Sequence, residues 1–434
     1  MTQTSFSALT ARQRRFFQTG VTLDIRYRTA ALKRLQKAVQ THQSELTAAL
    51  RHDLGKSDTE SYLSELGPVL SRLRWLLKHL PRLTRDRRVN PSTRRRPTPY
   101  GVTLILSPWN YPLLLTLCPL ADALAAGNTA IVRPSPQAPE TSRLLARLLG
   151  SIFPAAYVEV ADGNPEDNTQ LLQEQFDYIF SGWGEAQTGL ILEQAAKHRT
   201  PVTGIPEGRS VCIVHRSADL SAAARRVVFG KFLNCGQSAA APNHVLCDEA
   251  VMEEFLHHLR LQVQRQYGKD YKYNLSYGRI LSKKHFDRLS ALLDPERVFL
   301  GGSGDQATLR IEPTVLTGVD WSDPVMEQPI FGPILPVLPF RDADQLLDTL
   351  RSREKPPFLY LFARDRRFTD TVTARWSFGS CTINDAVPPP VPGQQGFDTF
   401  TRYLPIAGPK CAFLPLRCQP YTPLADRLIR LLLR

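Results

Sequence analysis

The chain has 434 residues, 42% hydrophobic and 22% charged, with a formal net charge of +13. That composition excludes a disordered or collagen-like polymer and leaves room for two or three domains, each with its own core. No apolar run is long enough to span a bilayer, and the polar start "MTQTSFSALTARQRR" has no apolar stretch of the kind a secretory signal needs. A cytoplasmic location is expected, with the basic charge leaving a peripheral membrane association open. Seven scattered cysteines without a CxxC pair argue against a disulfide framework and against a zinc site, so no metal is expected. The basic excess concentrates in "RLRWLLKHLPRLTRDRRVNPSTRRRPTP", residues 72–99. This stretch reads first as a solvated face and second as a surface for anionic membranes. With no zinc-finger spacing and no RNP-like aromatic strand, nucleic acid is not expected as a partner.

Along the chain, residues 8–80 place apolar side chains at three- and four-residue intervals and predict helices. Residues 82–98, rich in Pro and Arg, predict an extended connection or edge strands. Then the pattern changes. "GVTLILSP" predicts a short buried strand, "PLLLTLCPLADALAAG" a helix stopped by Gly127, and "TAIVRPS" a second strand. "PETSRLLARLLGSIF" predicts a helix and "YVEVADG" a third strand. The alternation continues through "FDYIFSG", "AQTGLILEQAAKH" and "SVCIVHRSAD", and a second α/β region runs from about residue 212 to 385. Alternation of this kind predicts parallel sheets covered by helices. "NDAVPPPVPGQQGFDTFTRYLP" reads as a Pro-rich loop. The terminal "LADRLIRLLLR" sets Leu424, Leu428, Leu431 and Leu432 at helical spacing beside Arg427, Arg430 and Arg434. That pattern suits an anionic membrane surface or a docking face on a partner subunit.

The stretch "SPWNYPLLLTLCPLADALAAGNTAIVRPS" resembles the aldehyde dehydrogenase superfamily, specifically its class 3 or fatty-aldehyde branch. Ordered matches extend the resemblance over nearly the whole chain: "DLGKSDTESYLSE", "AAKHRTPVT", "CIVHRSADLSAAARRVVFGKFLNCGQ", "IEPTVL", "IFGPILPV", "REKPPFLYLFA" and "FDTF". The resemblance implies an α/β fold of three parts. Helices from residues 1–81 and a Rossmann-like unit over 99–204 form the cofactor domain, and 205–395 forms a catalytic-type α/β domain. Residues 82–98 and 396–434 supply a small bridging sheet, used for homodimerisation, and a C-terminal helix. It also implies a chemistry. A cysteine thiolate attacks an aldehyde, an Asn side chain and a backbone N–H hold the oxyanion, hydride leaves to NAD or NADP, and a Glu activates water.

This chain departs from that pattern where the chemistry resides. Asn110 occupies the oxyanion position inside an intact Pro108-Trp109-Asn110-Tyr111-Pro112. The nucleophile stretch, Gly-Gln-(Thr/Ser)-Cys-x-Ala-Pro in the family, runs Gly236-Gln237-Ser238-Ala239-Ala240-Ala241-Pro242, so the thiol position holds Ala239. The family's Leu-Glu-Leu-Gly-Gly-Lys-Ser falls on residues 204–210 and puts Ile205 in place of the base. Lys-Pro-Ser-Glu at the adenosine ribose becomes Arg133-Pro134-Ser135-Pro136, and the Glu of Glu-Ile-Phe-Gly-Pro at the nicotinamide ribose becomes Pro329, two residues before Phe331. The phosphate-proximal turn survives as Ser181-Gly182-Trp183, with one extra residue before the helix. The Gly-rich segment of the substrate funnel is shortened to "AVPPPVPGQQG". Two substitutes are weighed: Cys235, one helical turn before Ala239 if the segment is helical, and Glu207, on the face of Ile205 if the segment is a strand.

Three readings follow. The first is an aldehyde dehydrogenase relative that has lost thiol catalysis, binds NAD or NADP weakly or not at all, and acts by binding an aldehyde-like molecule or a partner. The second is an active NAD(P)-dependent aldehyde oxidoreductase with a displaced nucleophile such as Cys235. The third is a basic peripheral-membrane or scaffold protein.

Overall fold

The computed structural model describes residues 6–90, 92–161, 167–205, 208–388, 393–408 and 418–432. Helices Phe6–Gln18, Ile25–Thr41, Gln43–Leu54 and Gly67–Leu83 come first, as their periodicity predicts. Asp24 starts the second by accepting a hydrogen bond from the Arg26 backbone, and Gly55 ends the third with φ 69°. Their apolar stripes (Leu32, Leu35 and Val39 on one, Leu70, Leu73, Leu76 and Leu80 on another) meet one core with the helix Leu114–Ala126.

That core lies against a five-stranded parallel sheet. β1 (Arg87–Asn90) and β2 (Thr93–Pro99) stand apart from it. The sheet takes β3 (Val102–Leu106), β4 (Thr129–Arg133), β5 (Val158–Val160), β6 (Tyr178–Ser181) and β7 (Val202–Gly204), in the order β5-β4-β3-β6-β7. Winding goes outward from β3 in both directions, so a crevice opens at the carboxyl ends of β3 and β6.

The second sheet is built from β8 (Val211–Val214), β9 (His244–Asp248), β10 (Val298–Leu300), β13 (Thr314–Leu316), β14 (Ile334–Phe340), β15 (Phe358–Phe362) and β16 (Ser380–Ile383). Between β10 and β13, the short β11 (Gly304–Asp305) and β12 (Arg310–Ile311) form a two-stranded ribbon. Its order is β10-β13-β14-β9-β8-β15-β16, parallel except for β10. Every residue of β8 and β9 is buried, which is why β8 and the middle of β9 (Val245, Leu246 and Cys247) read as continuous apolar runs rather than alternating ones.

β17 (Thr401–Ala407) pairs antiparallel along all of β2, from Thr401 opposite Pro99 to Ala407 opposite Thr93. With β1 it completes a three-stranded sheet in which Arg87 faces Arg95 and Arg88 faces Arg94. The Pro-rich loop expectation is corrected in its second half, where Gly393–Thr399 is helical and 401–407 is strand. Tertiary packing decides this. Phe397 and Phe400 are buried in the first core, and a Cβ on Gly396 would come within 2.4 Å of Asp122 Oδ2. Residues 389–392 and 409–417 of these segments lie outside the described residues. Among the described residues, no helix is long and apolar enough to cross a membrane and no group of His, Cys, Asp or Glu is placed to hold a metal ion.

Candidate active site

The paired register of the first sheet sets Leu106, Arg133, Ser181 and Gly204 side by side at the carboxyl ends of their strands. Pro108, Trp109 and Asn110 follow the first of these, Ser135 and Pro136 the second, Gly182 and Trp183 the third, and Ile205 the fourth. Residues far apart in sequence therefore line one crevice because parallel strands end together there. Phe331 joins from the second unit: its ring stands 5.5 Å from that of Trp109, edge to face.

The helix Leu220–Phe232 delivers the nucleophile stretch, and the backbone then leaves helical geometry. Asn234 and Cys235 both have φ 53°, and Gly236 has φ 71°. Only glycine fits at 236, since a Cβ there would sit 2.2 Å from the Gly332 carbonyl oxygen. The one-turn relation between Cys235 and Ala239 is thus corrected: left-handed residues separate them, and the thiol goes elsewhere. It is 1% exposed, packed in the second core, and pushed far up by burial, with the Glu60 carboxylate adding to the shift. A thiol so placed has no accessible thiolate.

The loop that follows is held from several sides. Gln237, fully buried, donates to the carbonyls of Asn234 (3.1 Å) and Arg279 (3.0 Å) and accepts from Leu281 N–H (2.9 Å). Ser210 Oγ donates to the Ala239 carbonyl at 2.7 Å, and the Tyr360 hydroxyl to the Ala240 carbonyl at 2.5 Å. Asn110, 8% exposed, donates from Nδ2 to the Gln237 carbonyl at 3.1 Å. The structure therefore brings Asn110 and the Ala239 loop together. One amide hydrogen of Asn110 is already committed to the protein, and the side chain at 239 is a half-buried methyl. Position 239 offers no thiol, while Asn110 is placed where it could polarise a carbonyl set against this loop.

Ile205 sits just past the end of β7, its N–H on the Ser181 carbonyl at 2.9 Å. The strand ends at Gly204, so Ile205 lies outside it; Glu207 lies outside the described residues.

Sequence reasoning missed the polar support beneath Asn110. Lys56 Nζ and Glu65 Oε1 pair at 2.5 Å with both side chains fully buried. Lys56 also donates to the Asn110 carbonyl (3.3 Å) and stands 4.2 Å from the centre of the Tyr111 ring. Glu65 Oε2 accepts from the backbone N–H of Leu113 (2.7 Å) and Leu114 (3.2 Å). Glu60 accepts from Asn234 N–H at 2.8 Å, and burial raises its carboxyl above the ordinary range. The signal was present in the "DLGKSDTESYLSE" match, but nothing local tells that these charges turn inward.

On the cofactor side, Arg133 is 1% exposed and donates to Asn168 Oδ1 (2.9 Å) and the Ala161 carbonyl (2.8 Å). Ser135 Oγ accepts from Gln137 N–H at 3.3 Å, whereas Pro136 and Pro329 are exposed. Gly182 N–H is bonded to the Leu106 carbonyl at 2.7 Å, and its Cα packs against Pro108, where a Cβ would approach to 2.5 Å. Ser181 Oγ accepts from Trp183 N–H (3.2 Å), and Trp183 Nε1 donates to the Ser107 carbonyl (3.2 Å). A nucleotide in this crevice would need donors for phosphate and acceptors for ribose hydroxyls. The guanidinium is turned onto protein oxygens, and the ribose acceptor positions are prolines, so these residues do not fit that group well.

The sequence model described as "Aldehyde dehydrogenase family" matches residues 2–397. Aldehyde dehydrogenase family 3 member A2 of Mus musculus is 37% identical over 383 residues, which cover 87% of this chain and 79% of that protein. The 4,4'-diaponeurosporen-aldehyde dehydrogenase of Staphylococcus aureus is 36% identical over 412 residues, covering 89% and 90%. The dimeric, NADP-preferring aldehyde dehydrogenase of Canis lupus familiaris is 35% identical over 393 residues, covering 88% and 86%. Among solved structures, a substrate-bound state of Staphylococcus aureus AldH matches with a TM-score of 0.92 at 32% identity, over 98% of this chain and 99% of that one. A Mycobacterium tuberculosis aldehyde dehydrogenase complexed with NAD+ shares the fold, with a TM-score of 0.84 at 20% identity over 94% and 92%.

Proposed function

This chain belongs to the aldehyde dehydrogenase family, and we propose that it has lost the family's thiol chemistry and now acts by binding a small carbonyl compound or a partner protein. The observation that carries the proposal is Ala239 on a loop pinned by Ser210, Tyr360 and Asn110, where a nucleophile would stand. Ile205 at the base position supports it, because an alkyl side chain relays no proton. The burial and raised pKa of Cys235 speak against the displaced-nucleophile reading.

Calorimetric titration with NAD and NADP tests the cofactor half of the proposal. Pro136 and Pro329 remove two carboxylate acceptors for ribose hydroxyls, each worth about 1–3 kcal/mol. Two such losses weaken binding by roughly thirtyfold or more, at about 1.4 kcal/mol per decade. A micromolar dissociation constant for NAD would refute this half.

We also propose that the chain dimerises, with its C-terminal helix as part of the contact. In the helix Pro423–Leu432, Leu424 is 68% and Leu431 72% exposed, and Ala425 is buried. An apolar face left so open needs a cover, either the partner subunit or an anionic membrane. A chain ending at Pro423 is expected to sediment as a monomer and to bind anionic liposomes no less than the full chain. Salt-sensitive liposome binding that disappears with the truncation would assign the helix to the membrane instead, since surface attraction is screened and an apolar contact is not.

A further inference from the structure

On the second α/β unit, the helices Leu220–Phe232 and Met252–Tyr267 pack side by side. Ala223, Ala224, Val227 and Val228 of one and Leu259 and Val263 of the other are buried in a shared core. On a different face, three- and four-residue spacing lines up Arg225, Arg226 and Phe229 on the first helix and Gln262, Arg265 and Gln266 on the second. Between them lies a surface cavity of about 430 Å³ lined by those six residues.

The lining holds three guanidiniums and no carboxylate. Arg226 turns to the Asn384 carbonyl, and Gln266 Nε2 donates to the Arg225 carbonyl at 3.2 Å. Among the described residues neither Arg225 nor Arg265 has a carboxylate partner. Gln262 is only 9% exposed, and its Oε1 has no hydrogen-bond partner. Clustered like charges repel one another, and an anion seated among them would offset that cost.

We propose that this groove binds a small amphipathic carboxylate, its head on Arg225 and Arg265 and its apolar part along Phe229 and the arginine stems. A guanidinium presents paired N–H donors that match a carboxylate's two oxygens. Phe229 and the methylene stems supply the apolar contact that a bare inorganic anion would leave unused. None of the six lining residues is on the Ala239 loop.

Decanoate titrated into the full chain by calorimetry tests this, with decanol and inorganic phosphate as companion probes. Decanoate is expected to bind saturably, and more weakly as salt rises. Changing Arg225→Ala and Arg265→Ala together should weaken it by about tenfold or more, as should Phe229→Ala, each step of tenfold being about 1.4 kcal/mol. Arg225 and Arg265 are exposed, so the double variant should keep the melting curve of the parent, and Arg265→Lys alone should weaken binding by losing the paired donors. Failure of decanoate to saturate, unchanged affinity in the arginine variants, or equal binding of decanol or phosphate would overturn the proposal. So would loss of binding in Ala239→Trp with the arginine variants unaffected, which would place decanoate in the vacated active site.

Discussion

Purified protein given medium-chain or aromatic aldehydes with NAD or NADP will reduce no cofactor above a heat-killed control. Removing the covalent nucleophile from a cooperating catalytic set costs about a millionfold, and removing the base as well adds little. On the proposed reading, Ala239 and Ile205 are both losses of this kind. Cys235→Ala should leave the trace unchanged, because that thiol is buried in the second core and held protonated by its surroundings. Restoring both positions, with Ala239→Cys and Ile205→Glu, should yield slight turnover at most. Arg133 remains turned onto Asn168 and Ala161, and Pro136 and Pro329 still lack carboxylates. Cofactor reduction abolished by Cys235→Ala would sink the binding-protein proposal. Near-normal turnover of the double variant would show that the altered cofactor contacts are dispensable.

Glu65→Ala will destabilise the first α/β unit by about 3–5 kcal/mol, the cost of leaving one member of a buried ion pair without its partner. Lys56 would be left fully buried without its Glu65 partner, and the N–H groups of Leu113 and Leu114 would lose their acceptor. Those residues follow Asn110, so the same change should loosen the turn that presents it. Adding Lys56→Met should recover much of the loss, since two uncharged side chains of suitable volume need no counter-ion. Denaturant unfolding followed by tryptophan fluorescence reads both effects. A loss of less than about 0.5 kcal/mol, the size of an ordinary surface substitution, would show that the pair does not hold this turn.

The covalent facts of this protein are legible without its structure. That Ala239 carries no thiol and Ile205 no carboxylate is decided by the residues alone, and no packing can alter it. The α/β alternation is legible for a related reason: strand and helix periods are local, so "GVTLILSP" and "TAIVRPS" declare buried parallel strands by themselves. What depends on long-range contact was not legible. Cys235 lay within a run that local reading allowed as helix, and only the close approach of Gly236 to Gly332 imposes the left-handed turn that separates it from Ala239. Residues 393–399 became a helix because Phe397 found a core contributed by the N-terminal helices. Nothing local in the sequence marks Lys56 and Glu65 as buried. They pair inside the protein because Leu113 and Leu114 arrive from another element with N–H groups that need an acceptor, and burial by distant chain is a property no sequence window contains.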